Sequence, residues 1–466
     1  GVLIIMSAIM DPLVSFAGWM WGWPLVIILT GVSIIYSIGL KFVQFKRFGF
    51  VMKNTAGKIF SKETTGEGTL TPVQAVSSAL AGTLGTGNIA GVGVAVGLGG
   101  PGAIFWMWIV ALLAAIVKYA EIVLGIFYRE KDSEGVYRGG FMYVVTNGLG
   151  SGWKWLATIW SFLFFIQFWI GGAVQSNALA DVLNLSFGWN NLVVGIVTAI
   201  LAGIVIIGGI KRIGKVAERI VPIMAVIYFF GALAILITHI NVIPQALSQI
   251  VSSAFNGMAA TGGFAGATVM MVIRHGFSRG VFSNEAGMGT SPMAHATAQT
   301  DHPARQGVWG IFEVFVDTIV MCTMTALVIM VTGTLASGEV GASLTALSFG
   351  QGLPGPGDLI VTLSTAFFAY TTILVAEYYA ETGAQYVFGD KIIKPFRYLF
   401  IIGVVMGAVG GLKQVWGLFD LFMALTVAIN AIVITFFLGD VKRLTKEFFG
   451  SDGELENVEE SFDQSV

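Results

Sequence analysis

Ala81-Gly-Thr-Leu-Gly-Thr-Gly-Asn-Ile-Ala-Gly91 lies in the middle of Gly68–Val117, a run of chain without a single Asp, Glu, Lys or Arg. One membrane crossing takes about 20 mostly apolar residues, so the run is long enough for two. The four glycines of the quoted stretch weaken a helix and free its backbone. The stretch therefore reads as a membrane helix unwound at mid-depth, and unwound backbone survives there only inside protein or along a cavity. Freed N–H groups at the start of the second half-helix suit an anion such as a carboxylate, and freed carbonyls suit Na+ or an ammonium. Ala260-Thr-Gly-Gly-Phe-Ala-Gly266 reads the same way. The plainer alternative is close helix packing, which the spacings Gly87/Gly91 and Gly93/Gly97 also fit.

The whole composition points to a membrane. Of 466 residues, 55% are hydrophobic and only 11% charged, against about 25% charged in soluble domains. That excludes a soluble globular protein and a disordered one. A net charge of −2 gives no bulk attraction to nucleic acid. The single Cys322 excludes internal disulfides and multi-thiolate metal sites. The four histidines form no ligand motif, and no organic cofactor is implied.

Hydropathy predicts eleven helices, near 20–40, 70–97, 102–127, 155–181, 191–209, 217–239, 245–282, 307–333, 358–387, 396–411 and 415–438. Gly99-Gly-Pro101 and Asn241–Pro244 divide the two longest charge-free runs. Lys and Arg gather in alternate connections: 41–62, 128–154, 210–219, 274–305, 389–397 and beyond 440. This pattern predicts an outside N-terminus and a cytoplasmic C-terminus. Gly1–Met10 lacks a basic leader, so no cleavable signal peptide is expected.

The two glycine-rich breaks fall in the second and seventh spans, five helices apart. An odd offset gives the two halves opposite orientation, the arrangement of inverted-repeat transporters. The expected layout is a single transporter domain over 1–466. It comprises an extra helix and basic linker (12–65), a first repeat (66–240), a second repeat (241–440) and an acidic tail (447–466).

Gly99-Gly-Pro-Gly-Ala-Ile-Phe-Trp-Met-Trp-Ile-Val110 resembles the signature of the sodium:alanine symporter family, the alanine or glycine:cation symporters. Asn284-Glu-Ala-Gly-Met-Gly-Thr-Ser-Pro292 is similar to that family as well. This chain has Ala114 where the signature usually has Gly. The resemblance covers roughly 12–446. It implies an all-α polytopic membrane protein with the leucine-transporter-like 5+5 inverted repeat of the amino acid–polyamine–organocation superfamily, spans 2–6 and 7–11. It also implies symport of small neutral amino acids, alanine or glycine, with Na+ or H+ across the cell membrane. Such a protein can work as a monomer in the lipid bilayer.

Gly85-Thr-Gly-Asn88 resembles the Gly-x-Gly-Asn of the first broken helix in leucine-transporter-like proteins. By that resemblance, N–H groups near Gly85 and Gly87 receive the substrate carboxylate. The Thr83 carbonyl and Thr261 hold its ammonium. Gly262, Gly263 and Phe264 line the pocket, with Phe264 limiting its volume or packing elsewhere. Asn88 either contacts ligand or caps the second half-helix. Gln167, a lone amide among aromatics, either binds the carboxylate or bonds another helix. Gln74 and Ser78, one turn apart, face the pocket or join helices. For Na+, related transporters use paired hydroxyls of the eighth core helix. Ser364-Thr365 with the carbonyls of Ala81 and Leu84 fits best, and Thr371-Thr372 is the rival pair. Each hydroxyl can instead bond its own helix one turn back.

Charges inside spans are costly and demand partners. Lys118 and Glu121 are spaced to pair with each other. Glu313 and Asp317 share a helix face, as a proton or cation site or as part of a structural network. Asn284–Pro292 is expected as a cytoplasmic loop or short broken helix. No Ser/His/Asp order, HExxH or GxSxG motif argues for an enzyme. Two nonequivalent breaks suit alternating access better than a channel filter. The remaining rival is a Na+- or proton-coupled symporter of another small solute.

Overall fold

The computed structural model describes residues 2–58, 66–133, 135–256, 268–410 and 412–450. Among them, nine helical stretches are long and apolar enough to cross a membrane. A tenth apolar helix, Asn191–Ile206, is shorter.

The burial pattern is that of a protein with an apolar exterior. Ile27, Ile38, Leu192, Ile200, Ile204, Ile223, Phe230, Ile402 and Met406 are all exposed. Buried polar groups include Lys118, Glu121, Glu313 and Asp317. Exposed apolar surface on this scale is foreign to soluble monomers and natural in lipid.

The first long run divides as its turn residues demand. Thr71 caps the helix Pro72–Thr83: its hydroxyl accepts the Gln74 N–H at 3.2 Å, and the Gln74 side-chain oxygen Oε1 accepts the Thr71 N–H at 3.3 Å. The helix stops at Leu84 and Gly85, and resumes through a wide turn, Gly87–Gly91, into Val92–Gly99. Gly100 then takes a left-handed φ of +77° and Pro101 opens the helix Gly102–Phe127. The helices Lys154–Phe187 and Pro356–Phe388 cross against each other. Gly383 lets them close, since a Cβ there would sit 3.0 Å from the Ser161 carbonyl.

The described parts of the seventh predicted span are the helices Ile243–Asn256 and Val269–Asn284. The expected break at Ala260–Gly266, with Thr261, Gly262, Gly263 and Phe264, lies outside the described residues. An interruption occurs later, between Asn284 and a short helix at Ser291–His295. Glu285, Gly287 and Gly289 take φ of +57°, +84° and +77° there. Residues 284–290, part of the Asn284–Pro292 stretch expected as a cytoplasmic loop or short broken helix, are all buried. Arg274 and Arg279, counted in the basic region 274–305 and inside the predicted span 245–282, belong to the helix before the break.

The two broken spans run in opposite directions. His275 packs against Gly99 at the end of the first, and Ser283 against Gly87 at its middle. The Thr297 carbonyl accepts the N–H of Leu70 at 2.8 Å, just before the first span begins. Basic connections meet at one end of the bundle. There Glu381 bridges Arg138 (3.3 Å) and Arg397 (2.5 Å), and Arg129 donates to the carbonyls of Ala296 and Ala298.

Candidate functional site

The breaks meet around a small, narrow cavity. Gly82, Thr83, Gly85 and Gly87 contribute from the first break, and Phe282, Glu285 and Met288 from the second. Helix Lys154–Phe187 adds Phe168, Gly171, Val174 and Gln175. Thr372, Ala376 and Phe419 complete the lining. The wall is mainly backbone and aromatic, which limits the size of any occupant. Two glycines are indispensable to its shape. A Cβ on Gly85 would lie 2.7 Å from the Thr372 hydroxyl, and one on Gly87 would lie 2.9 Å from the Ser283 backbone.

The predicted residues divide into those at this cavity and those away from it. Thr83, Gly85 and Gly87 line it. The Gly85 N–H is not free for a carboxylate, because the Asn88 side-chain oxygen accepts it at 3.1 Å. Asn88 thus serves the helix restart, and its amide nitrogen donates to Asp317 Oδ1 (2.6 Å) and to the Ser283 hydroxyl (3.2 Å). Gln167 is buried outside the lining, and its oxygen accepts the Thr426 hydroxyl at 2.6 Å. Gln74 caps its own helix and donates to Glu218 at 3.1 Å. The Ser78 hydroxyl returns to the Gln74 carbonyl at 2.8 Å. Neither Gln74 nor Ser78 lines the cavity.

The paired hydroxyls need correction. Thr372 donates to the Ala81 carbonyl at 3.0 Å, beside buried Leu84. Ser364 and Thr365 lie two helical turns earlier, about 11 Å along the axis at 1.5 Å per residue. Their hydroxyls are buried and without a partner, far from the helix break. Of the rival pair, Thr372 is the member that the fold brings to it, whereas the Thr371 hydroxyl donates to the carbonyls of Phe367 and Phe368 in its own helix.

Gln175, Phe168, Phe282, Glu285, Met288 and Phe419 escaped the sequence reading. Gln175 had a signal, a second amide two turns beyond Gln167; it accepts the Thr86 hydroxyl at 2.9 Å. The positive φ angles of the 285–289 segment were foreshadowed only by its glycines.

Around the second break lies a buried charge network. Lys118 does not pair with Glu121. It meets Glu313 at 3.0 Å and donates to the Asn284 carbonyl at 2.8 Å. Glu121 instead accepts the N–H groups of Gly287 and Gly289, each at 3.1 Å, and the Asn430 amide. Glu313 also holds His295 at 2.8 Å. Asp317 accepts from Asn88, Ser283 and Thr318. Glu313 and Asp317 thus have separate partners. Opposite the basic end, Arg279 and Asp420 pair at 2.6 Å, with the guanidinium over the rings of Phe282 and Trp416.

The likeness of the whole chain to known proteins agrees with this architecture. A Bacillus subtilis transporter, YflA, is 41% identical over 93% of this chain and 92% of its own. The sodium/alanine symporter AgcS of Methanococcus maripaludis is 42% identical over 92% of this chain and 94% of its own. Among solved structures, a manganese transporter of Eremococcus coleocola shares the fold, with a TM-score of 0.50 at 12% identity over 84% of this chain and 91% of that one. The profile of the sodium:alanine symporter family matches residues 6–462. The chain is a multi-pass membrane protein of the sodium:alanine symporter family.

Proposed function

We propose that the chain is a secondary active symporter that imports alanine or glycine together with Na+ by alternating access. The observation that carries this is the cavity at the meeting of two oppositely directed broken helices. In this reading, the N–H groups at the start of the Gly87–Gly91 half-helix face the substrate carboxylate, where the helix dipole favours negative charge. Phe168, Phe282 and Phe419 restrict the side chain to a small one. Na+ sits among the carbonyls of Ala81 and Leu84 and the hydroxyl of Thr372, replacing the 3.0 Å hydrogen bond at Thr372. Cation binding orders the first break and so raises amino acid affinity, and linkage makes the effect mutual.

The inverted repeat supplies the motion. One half rocks against the other, so the cavity opens first past Arg279–Asp420 and then past the Arg138–Glu381–Arg397 cluster. The basic end is cytoplasmic by the positive-inside rule, which puts the protein in the cell membrane with its C-terminus inside. The two antiparallel breaks are the feature that favours this reading over a channel.

The test is calorimetric binding of alanine to purified protein in Na+ and then in choline. Binding that requires Na+ and is competed by glycine but not leucine is the expected outcome. Binding indifferent to Na+ would remove the coupling ion from the proposal, and no binding in either buffer would remove the substrate.

A further inference from the structure

Among the described residues, the cavity between the breaks has one ionisable side chain in its lining, Glu285. It is only 5% exposed, and one carboxylate oxygen, Oε2, has no hydrogen-bond partner. Buried carboxylates ordinarily have donors or counterions, because an unpaired one is costly. The three neighbouring carboxyl groups obey that rule: Glu121 has two glycine N–H groups and Asn430, Glu313 has Lys118 and His295, and Asp317 has Asn88, Ser283 and Thr318. Lys118 is the ammonium of this cluster, and it is engaged by Glu313 and the Asn284 carbonyl.

A second buried oxygen lacks a partner at the same place. The Tyr379 hydroxyl is unpaired, and a Cβ on Gly82 would stand 3.3 Å from it and 3.4 Å from Glu285 Oε2. Two unpaired oxygens thus flank one small gap at the cavity wall, and the glycine keeps that gap open. The gap adjoins the first break, since Gly82 follows Ala81, whose carbonyl holds Thr372. Glu285 is fixed there by a left-handed backbone (φ +57°), a conformation uncommon for a residue other than glycine.

We propose that Glu285 is the receptor for a monovalent cation in the cavity. That cation is either the ammonium group of the bound amino acid or an alkali ion that travels with it. Both offer what the gap lacks, one positive charge of small size, and both suit an oxygen cage of carboxylate, phenol and backbone. The groups whose charge acts on Glu285 are Lys118, Glu313 and Asp317, with Thr290 beside it. The proposal deepens the symporter reading and rests on it.

The test uses purified full-length protein in two titrations, Na+ without amino acid and alanine at saturating Na+, for the wild type, Glu285→Gln, Glu285→Asp and Tyr379→Phe. Glu285→Gln is expected to weaken one of them by about tenfold or more, the effect of losing a charged partner. Tyr379→Phe should weaken the same one by about threefold, the effect of a neutral hydrogen bond. A loss in the Na+ titration assigns an alkali ion. A loss confined to alanine assigns the ammonium. Wild-type affinities in both titrations overturn the proposal. If Glu285→Gln does not fold, Glu285→Asp and Tyr379→Phe decide in its place, and wild-type behaviour of both overturns it. A wild type that binds Na+ but no alanine counts against the substrate assignment, and its Na+ titration still decides on Glu285.

Discussion

The hydroxyl of Thr372 donates to the carbonyl of Ala81 across 3.0 Å, tying the helix Pro356–Phe388 to the last turn before the first helix break. The same hydroxyl also reaches its own helix at the Phe368 carbonyl, 2.8 Å away, so it has a partner whichever way the break moves. A side chain that bonds both a continuous helix and an unwound one is well placed to report cation binding at their junction.

Thr372→Val is nearly isosteric and removes that hydroxyl. The expected result is a loss of Na+ dependence, with about a tenfold weaker apparent Na+ affinity, the scale of a lost ligand to a charge. Ser364→Ala and Thr365→Val, two turns away, should leave Na+ affinity within about twofold, a free-energy change of about 0.4 kcal/mol. Na+ titration of alanine binding separates the two sites. Equal effects at both would return the cation to the outer pair.

Gly85→Val should abolish alanine binding while the protein remains folded. Its first added carbon already lies 2.7 Å from Thr372 Oγ1 at a cavity wall, and contacts this short force something to shift. Size-exclusion behaviour and thermal unfolding in detergent check the fold, and calorimetry checks binding. Normal binding by this variant would mean that the substrate sits elsewhere.

The two buried amides of helix Lys154–Phe187 should behave differently. Gln175→Leu changes the cavity wall and frees Thr86, so alanine affinity should fall. Gln167→Leu removes a hydrogen bond to Thr426 and should lower stability by about 1 kcal/mol, with alanine affinity kept. Parallel calorimetry and thermal melts of the two variants distinguish pocket from scaffold.

Lys118→Met leaves Glu313 without its cation in a fully buried position. Breaking a buried pair in this way costs about 3–5 kcal/mol, so a large fall in melting temperature is expected. Adding Glu313→Gln should restore part of it, because the uncompensated charge is then gone. A double variant no better than the single one would show that packing of the lysine stem, not charge, is what matters.

The closure opposite the basic end is open to a separate measurement. Asp420→Asn weakens the 2.6 Å contact with Arg279. It should increase labelling of a cysteine introduced at Phe419, which lines the cavity. Unchanged labelling in Na+ and in choline would mean that the pair does not close the site.

Much of the architecture was legible in the sequence because a bilayer enforces simple rules. Long charge-free runs must be helices, and Gly99-Gly-Pro101 and Asn241–Pro244 must divide them, since lipid offers the backbone no other partners. The first break was legible for the same reason: four glycines in eleven residues cannot hold a helix firmly at mid-depth. The break at Asn284–Thr290 was legible only as a glycine-rich loop or short broken helix, because local composition does not say that it is buried; the expected break at Ala260–Gly266 lies outside the described residues. Side-chain roles were harder still. Asn88 faces Gly85 and Asp317, Gln167 faces Thr426, and Lys118 bypasses Glu121, three residues along its own helix, for Glu313.

By itself, the sequence determined a polytopic helical membrane protein, the first site of unwinding, and membership of a family of symporters. Those properties follow from hydropathy, glycine content and long local motifs, which lie along the chain. Only the tertiary structure decided that Thr372 rather than Ser364 meets the first break, that Gln175 rather than Gln167 lines the cavity, and that Glu285 lies inside it. Each of these depends on the rotation and register of one helix against another. Such registers are set by the summed packing of many side chains and by the need to pair every buried charge, so no single stretch of sequence records them.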